Sequence, residues 1–174
     1  MASTRTPPPF VYTGKEEVPK DVTHVEFSSA VTKVGQGTFR GCSQLNYVVL
    51  NEGLQTIAKS AFYGCPLISI TLSSTVTKVA SYAFCNCINL REVVLNEGLQ
   101  TIGKFAFYCC SSLICIQLSS AVAEVGKYAF HSCTKLREVV LNEGLKTIGE
   151  GAFIGCSSLE SIKIPSTVTK IGVE

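Results

Sequence analysis

The sequence predicts a β-rich α/β solenoid, a right-handed stack of about seven coils with parallel strands and short helical or 3-10 turns, on three observations. Six phenylalanines (Phe39, Phe62, Phe84, Phe107, Phe130 and Phe153) stand 23, 22, 23, 23 and 23 residues apart. A cysteine follows each by three positions: Cys42, Cys65, Cys87, Cys110, Cys133 and Cys156. Short apolar alternations recur in register with both. Self-similarity at a period of roughly 20–50 residues marks stacked supersecondary units, each too small to bury its apolar face alone.

Residues 1–21 depart from the repeat. Pro7-Pro8-Pro9 suits neither helix nor interior sheet, so residues 1–9 are expected to be disordered. Phe10, Val11 and Tyr12, helped by Val18 and Val22, are expected to fold over the first coil as a cap, because a bare solenoid end exposes apolar side chains and strand edges. The solenoid is assigned to residues 22–174.

Each unit opens with an apolar pair two residues apart, such as Val48/Leu50, Val93/Leu95 or Ile116/Leu118. Period two reads as a strand with both members facing inward. A polar bend follows, Ser-Ser-Ala or Ser-Ser-Thr in some units and Asn-Glu-Gly at 51, 96 and 142. The two bends alternate, and the near-identity of REVVLNEGLQTIG from Arg91 and REVVLNEGLKTIG from Arg137 points to duplication of paired units. Gly53, Gly98 and Gly144 invite a positive-φ reading, but Ala and Thr at equivalent bends argue against a strict requirement.

A second apolar pair comes at spacing three, as in Leu99/Ile102 and Val122/Val125, then Gly or Ala, then the Phe and Cys. The run into the cysteine suits one helical or 3-10 turn burying the aromatic. A leucine, such as Leu90 or Leu113, closes each complete unit. Parallel pairing across units would advance about 4.8 Å per coil. The single 22-residue step is a deletion at Pro66-Leu67 that a loop should absorb. The chain stops at Ile171-Gly172-Val173-Glu174, in mid-unit, which leads us to expect a longer array or end-to-end association.

Composition narrows function. The hydrophobic fraction is 46% and mean hydropathy +0.30, yet no apolar run approaches the roughly 18 residues of a membrane span. With 15 basic and 13 acidic residues scattered singly, no nucleic-acid footprint is expected. The N-terminus lacks the apolar segment of a secretory signal, so as written the chain is expected in the cytoplasm, with its nine cysteines mostly free thiols. The cell surface remains open if the N-terminus is incomplete.

The pattern L-x-x-I-x-(I/L)-P/S-x-x-V-x-x-I-G-x-x-A-F-x-x-C-x-x-L resembles the BspA-like class of leucine-rich repeat, over about residues 22–174. That resemblance implies an extended, curved solenoid acting as a protein-recognition or adhesion surface. Many relatives of that class look secreted or surface-attached.

The cysteine column is the loudest chemical feature. Metal binding or disulfides would use it, but one small buried residue per coil corner gives the same pattern. Cys85, Cys109 and Cys115 lie outside the column. Cys85 is expected to be partly exposed, and with Cys109 and His131 it occupies three successive coils. A zinc site would need a fourth ligand, and a Cys109–His131 pair is the one conceivable nucleophile–base arrangement. Ser-His-Asp chemistry lacks candidates: the histidines are His24 and His131 and the aspartate is Asp21. No phosphate-cradle string occurs. Neither cofactor, metal nor catalytic activity is therefore expected.

The better candidate is the outward face of the first strand. Its central column includes Val49, Thr71, Val94, Gln117 and Val140; two residues earlier stand Tyr47, Glu92 and Glu138. These eight residues are the expected partner-binding strip, held ready by rigid stacking. The competing explanation is ordinary β-propensity filling of a sheet surface. The expected role is a non-enzymatic scaffold for a protein partner of unknown identity, the alternative a surface adhesin or spacer array.

Overall fold

The computed structural model describes residues 8–172. It is a parallel β-solenoid. Phe10–Tyr12 (β1) lies over the first coil, pairing in parallel with His24–Phe27 (β2), with Tyr12, Val18 and Val22 buried against it. Tyr12 meets Phe27 and Phe39 edge-on at 5.2 and 5.3 Å. Pro8 and Pro9 precede β1 outside any strand, while the disorder expected of residues 1–7 falls outside the described residues.

The first apolar pairs continue the column as Tyr47–Val49 (β4), Ser69–Thr71 (β6), Glu92–Val94 (β8), Cys115–Gln117 (β10) and Glu138–Val140 (β12). The second pairs form Lys33–Val34 (β3), Thr56–Ile57 (β5), Lys78–Val79 (β7), Thr101–Ile102 (β9), Glu124–Val125 (β11), Thr147–Ile148 (β13) and Lys170–Ile171 (β14). These last seven make one continuous parallel sheet, ordered as in the chain. Residues 162–164 form no strand, so the seventh unit contributes only its second strand and the stack has six complete coils. The short step leaves the register intact: Ile57 still pairs with Val79 across 22 residues, and Leu67 is still buried.

The core is a set of columns. The rings of Phe39, Phe62, Phe84, Phe107 and Phe130 are fully buried and stack at 4.9–5.3 Å, nearly parallel. Phe153, on the last turn, stacks at 5.5 Å but is only half-buried.

The expected helical turns are absent: no described residue is helical. The reason is a division of backbone donors. In the Phe segment, alternate N–H groups close turns within the coil, as Ala106 N to Gly103 O and Tyr108 N to Phe105 O, both at 3.2 Å. The intervening ones bond to the next coil: Phe105 N to Lys127 O, Phe107 N to Ala129 O and Cys109 N to His131 O, at 2.8–2.9 Å. A helix would consume every donor internally; this segment spends half of them on stacking. The alternation requires a left-handed residue two positions before and two after each Phe. Gly37, Gly41, Gly64 and Gly155 suit that φ, whereas Tyr82, Phe105, Tyr128 and Cys109 adopt it at +54° to +60° despite their side chains.

Each column cysteine has a defined partner. The thiols of Cys65, Cys87, Cys110, Cys133 and Cys156 donate to the carbonyls of Phe39, Phe62, Phe84, Phe107 and Phe130 at 3.1–3.3 Å. All nine cysteines are free. Burial pushes the Cys65 thiol up to about 12 and those of Cys87 and Cys110 well above the ordinary 9.0.

Candidate recognition face

The first-strand ladder is interrupted where the second is continuous. It divides into β1-β2-β4, β6-β8 and β10-β12, breaking after the Asn-Glu-Gly coils. Leu72 N donates to Val94 O and Leu118 N to Val140 O, both at 2.9 Å, zipping each Ser-Ser coil to the coil after it. Among the described residues Leu50 and Leu95 make no such bond. Leu50, Leu95 and Leu141, expected inside, are only half-buried, while Leu72 and Leu118 are buried.

The bends explain the alternation. Asn96 Nδ2 reaches back one coil to Ser73 O at 2.7 Å and Val76 O at 2.9 Å. Asn142 repeats this on Ser119 and Val122, and Asn51 on Ser29 and Val31. Glu52 and Glu97 reach forward, accepting from Ser74 and Ser120 Oγ at 2.6 and 2.9 Å. In the Ser73-Ser74-Thr75 coil, Thr75 takes over the backward bond, donating to Leu54 O at 2.7 Å. The bend glycines have ordinary φ; a Cβ at Gly98 or Gly144 would lie 3.2 or 2.5 Å from the preceding coil's Ser74 or Ser120 carbonyl.

On this scaffold the eight candidate residues sit as follows. Val49, Val94 and Val140 are 41%, 44% and 42% exposed, and Tyr47 is 51% exposed. Thr71, Gln117, Glu92 and Glu138 are also exposed, except that Ser69 beside Thr71 is half-buried. The structure thus brings all eight to one face. A cleft of about 310 Å³ opens where β8 and β10 part, lined by Val94, Leu95, Glu97, Gln117 and Leu118. An equivalent cleft of about 360 Å³ lies two coils on, lined by Val140, Leu141, Glu143, Lys163 and Pro165. Ile68 and Ile114, 52% and 47% exposed, border the same face and alternate with Arg91 and Arg137. Their signal in the sequence is the same two-coil alternation that the valines show.

The cysteines outside the column and His131 are placed as follows. Cys85 is buried, 3% exposed, against the expectation of partial exposure, and burial lifts its thiol to about 11. It occupies a column between the half-buried Tyr63 and Tyr108, which screen it from solvent. His131 stacks on Tyr108 at 4.9 Å, and its Nδ1 lies 2.8 Å from Ser132 Oγ. Cys115 is exposed on the strand face and Cys109 half-buried. Among the described residues no group of three or more His, Cys, Asp or Glu side chains could hold a metal ion, and no helix is long and apolar enough to cross a membrane.

Stacked parallel coils of this length, with one aromatic and one buried thiol per turn, define a leucine-rich-repeat solenoid. The family profile described as BspA type leucine rich repeat region matches in six copies, over residues 19–113 and 55–174, and the chain belongs to that family. Similar solved structures include the T. pallidum leucine rich repeat protein TpLRR, 30% identical with a TM-score of 0.73. A leucine-rich repeat protein from Eubacterium ventriosum is 29% identical with a TM-score of 0.80. The matches cover 80% and 90% of this chain but 65% and 43% of those proteins, so the chain spans only part of their length. A Bacteroides ovatus leucine-rich repeat protein, 24% identical with a TM-score of 0.71 over 88% of this chain and 46% of that one, shares the fold. No curated protein sequence matches the chain.

Proposed function

We propose that the chain is a non-enzymatic protein-recognition module that presents its first-strand face to a protein partner. The observation that carries this reading is the valine strip. Val49, Val94 and Val140 are each more than 40% exposed at every second coil, and clefts that a partner side chain could fill lie beside Val94 and Val140. Apolar groups held in a row by a stacked backbone lose little entropy on binding. The test is capture from lysate of the source cells by wild type and by a folded Val94→Asn, Val140→Asn double variant. A partner retained by wild type and lost by the variant supports the reading. A partner retained by both moves the site off this face.

A second reading, a spacer or adhesin whose contacts run through its end, has its own observation. Ile162, Ile164 and Ile171 with Phe153 line an apolar cavity of about 310 Å³ on the last turn, and Ile171 is 55% exposed. End-to-end association of chains would cover it. Sedimentation at rising concentration tests this, with a persistent monomer counting against it.

A further inference from the structure

The chemistry of the partner can be read from the spacing and charge around the valine strip, and the inference rests on the recognition reading above. Parallel coils advance by about 4.8 Å where they pair, so equivalent groups two coils apart stand about 9.6 Å apart, or somewhat more where the ladder parts. Val49, Val94 and Val140 recur at every second coil, as do the clefts beside Val94 and Val140. The intervening coils present Thr71 and Gln117, both polar and exposed.

Charge flanks the strip on both sides. Glu92 and Glu138 lie two residues before the valines, and Glu52, Glu97 and Glu143 three residues after them; all five are exposed. The first-strand segments with their bends carry seven glutamates against three cationic side chains, Arg91, Arg137 and Lys163, although the whole chain has 15 basic and 13 acidic residues. The face is acidic on a molecule of net charge +2.

We infer that the face takes an extended, basic segment of a partner protein in the polyproline II conformation, laid along the stack. That helix has three residues per turn and rises about 9.3 Å per turn. Every third side chain therefore points the same way at nearly the two-coil interval, and the other two splay left and right. An apolar residue at each third position meets Val49, Val94 and Val140 in turn. Basic residues at the remaining positions meet the two rows of glutamates. A β-strand repeats its side chains about every 6.7 Å and falls out of step within one interval. An amphipathic α-helix carries apolar residues at each turn of about 5.4 Å, which would set them over Thr71 and Gln117.

The test uses the full chain and three synthetic probes of equal length. One peptide is four Leu-Lys-Pro triplets. The second holds the same residues with its four leucines set two positions apart. The third is the triplet peptide with glutamate for lysine. Fluorescence anisotropy should show the triplet peptide binding at least about tenfold tighter than either of the others, and losing about tenfold in the Val94→Asn, Val140→Asn variant. Equal binding of the first two peptides, lost in the variant, would overturn the spacing and keep the recognition face. Triplet binding that survives the variant would overturn the location. If no peptide binds while the variant still loses its captured partner, the extended basic segment is the wrong chemistry and the face stands.

Discussion

The Cys110 thiol donates to the carbonyl oxygen of Phe84, one coil earlier, at 3.2 Å. The same bond recurs along the column, and each of these carbonyls also accepts a backbone N–H within its own coil, as Phe84 O does from Cys87 N at 3.2 Å. The thiol thus uses the carbonyl's second lone pair and leaves no buried S–H unpaired. The cysteine is therefore a small core residue with a donor, which Ala lacks. Native protein treated with an aromatic disulfide reagent should release one equivalent quickly, from exposed Cys115. Column thiols should respond only on unfolding, and rapid labelling of Cys110 or Cys133 would contradict the buried column.

Alkali should unfold the protein through these thiols. Folding raises the thiol values of Cys65, Cys87, Cys110, Cys133 and Cys156 by burial, so the native state holds protons that the unfolded chain releases. Their contribution is fully present below the ordinary 9.0 and is lost as pH rises through the folded values, about 11 for Cys156 and about 12 for Cys65. Circular dichroism should stay flat to about pH 9 and then fall, with pulse labelling of the column thiols rising in step. Labelling of the column thiols well before the loss of structure would break the linkage.

Phe107→Ala should destabilise by about 3–5 kcal/mol, since the ring is fully buried between Phe84 and Phe130. Phe153→Ala should cost less than half as much, because Phe153 is half-buried on the last turn. Urea denaturation of the two variants measures the difference, and equal losses would deny that neighbouring coils set the value.

Asn96→Ala should cost about 1–3 kcal/mol, because it removes two bonds to the carbonyls of Ser73 and Val76 and a third that Asn96 Oδ1 accepts from Gly98 N. Glu97→Gln should cost under about 1 kcal/mol, since its bonds to Ser120 are exposed and an amide oxygen can still accept. A larger loss for Glu97→Gln than for Asn96→Ala would reverse this ranking of the two bend residues.

The second apolar pairs of the complete coils, the Phe and Cys columns and the absorbed 22-residue step were legible because each is a periodicity, and periodicity is what stacking imposes; the first pairs were legible only in part, since Leu50, Leu95 and Leu141 are half-buried. The turn around Phe107 was not. Tyr82, Phe105 and Tyr128 sit in left-handed conformations that their residue types do not announce. Only the pairing of alternate donors with the next coil explains them, and that is a relation between units rather than within one. The burial of Cys85 was hidden likewise, since Tyr63 and Tyr108 on neighbouring coils screen it. The valine strip was legible as a column, but the clefts beside it were not, because they follow from the broken ladder at Leu95 and Leu141.

The reach of Asn backward and Glu forward gives the array a parity. Removing one Ser-Ser coil would set two Asn-Glu-Gly bends side by side, with their carboxylates stacked about 4.8 Å apart and no serine between them to donate. Removing two coils restores every partner. Growth and loss of this array in evolution should therefore proceed in even steps. The near-duplicate stretches from Arg91 and Arg137, 46 residues apart, record one such step.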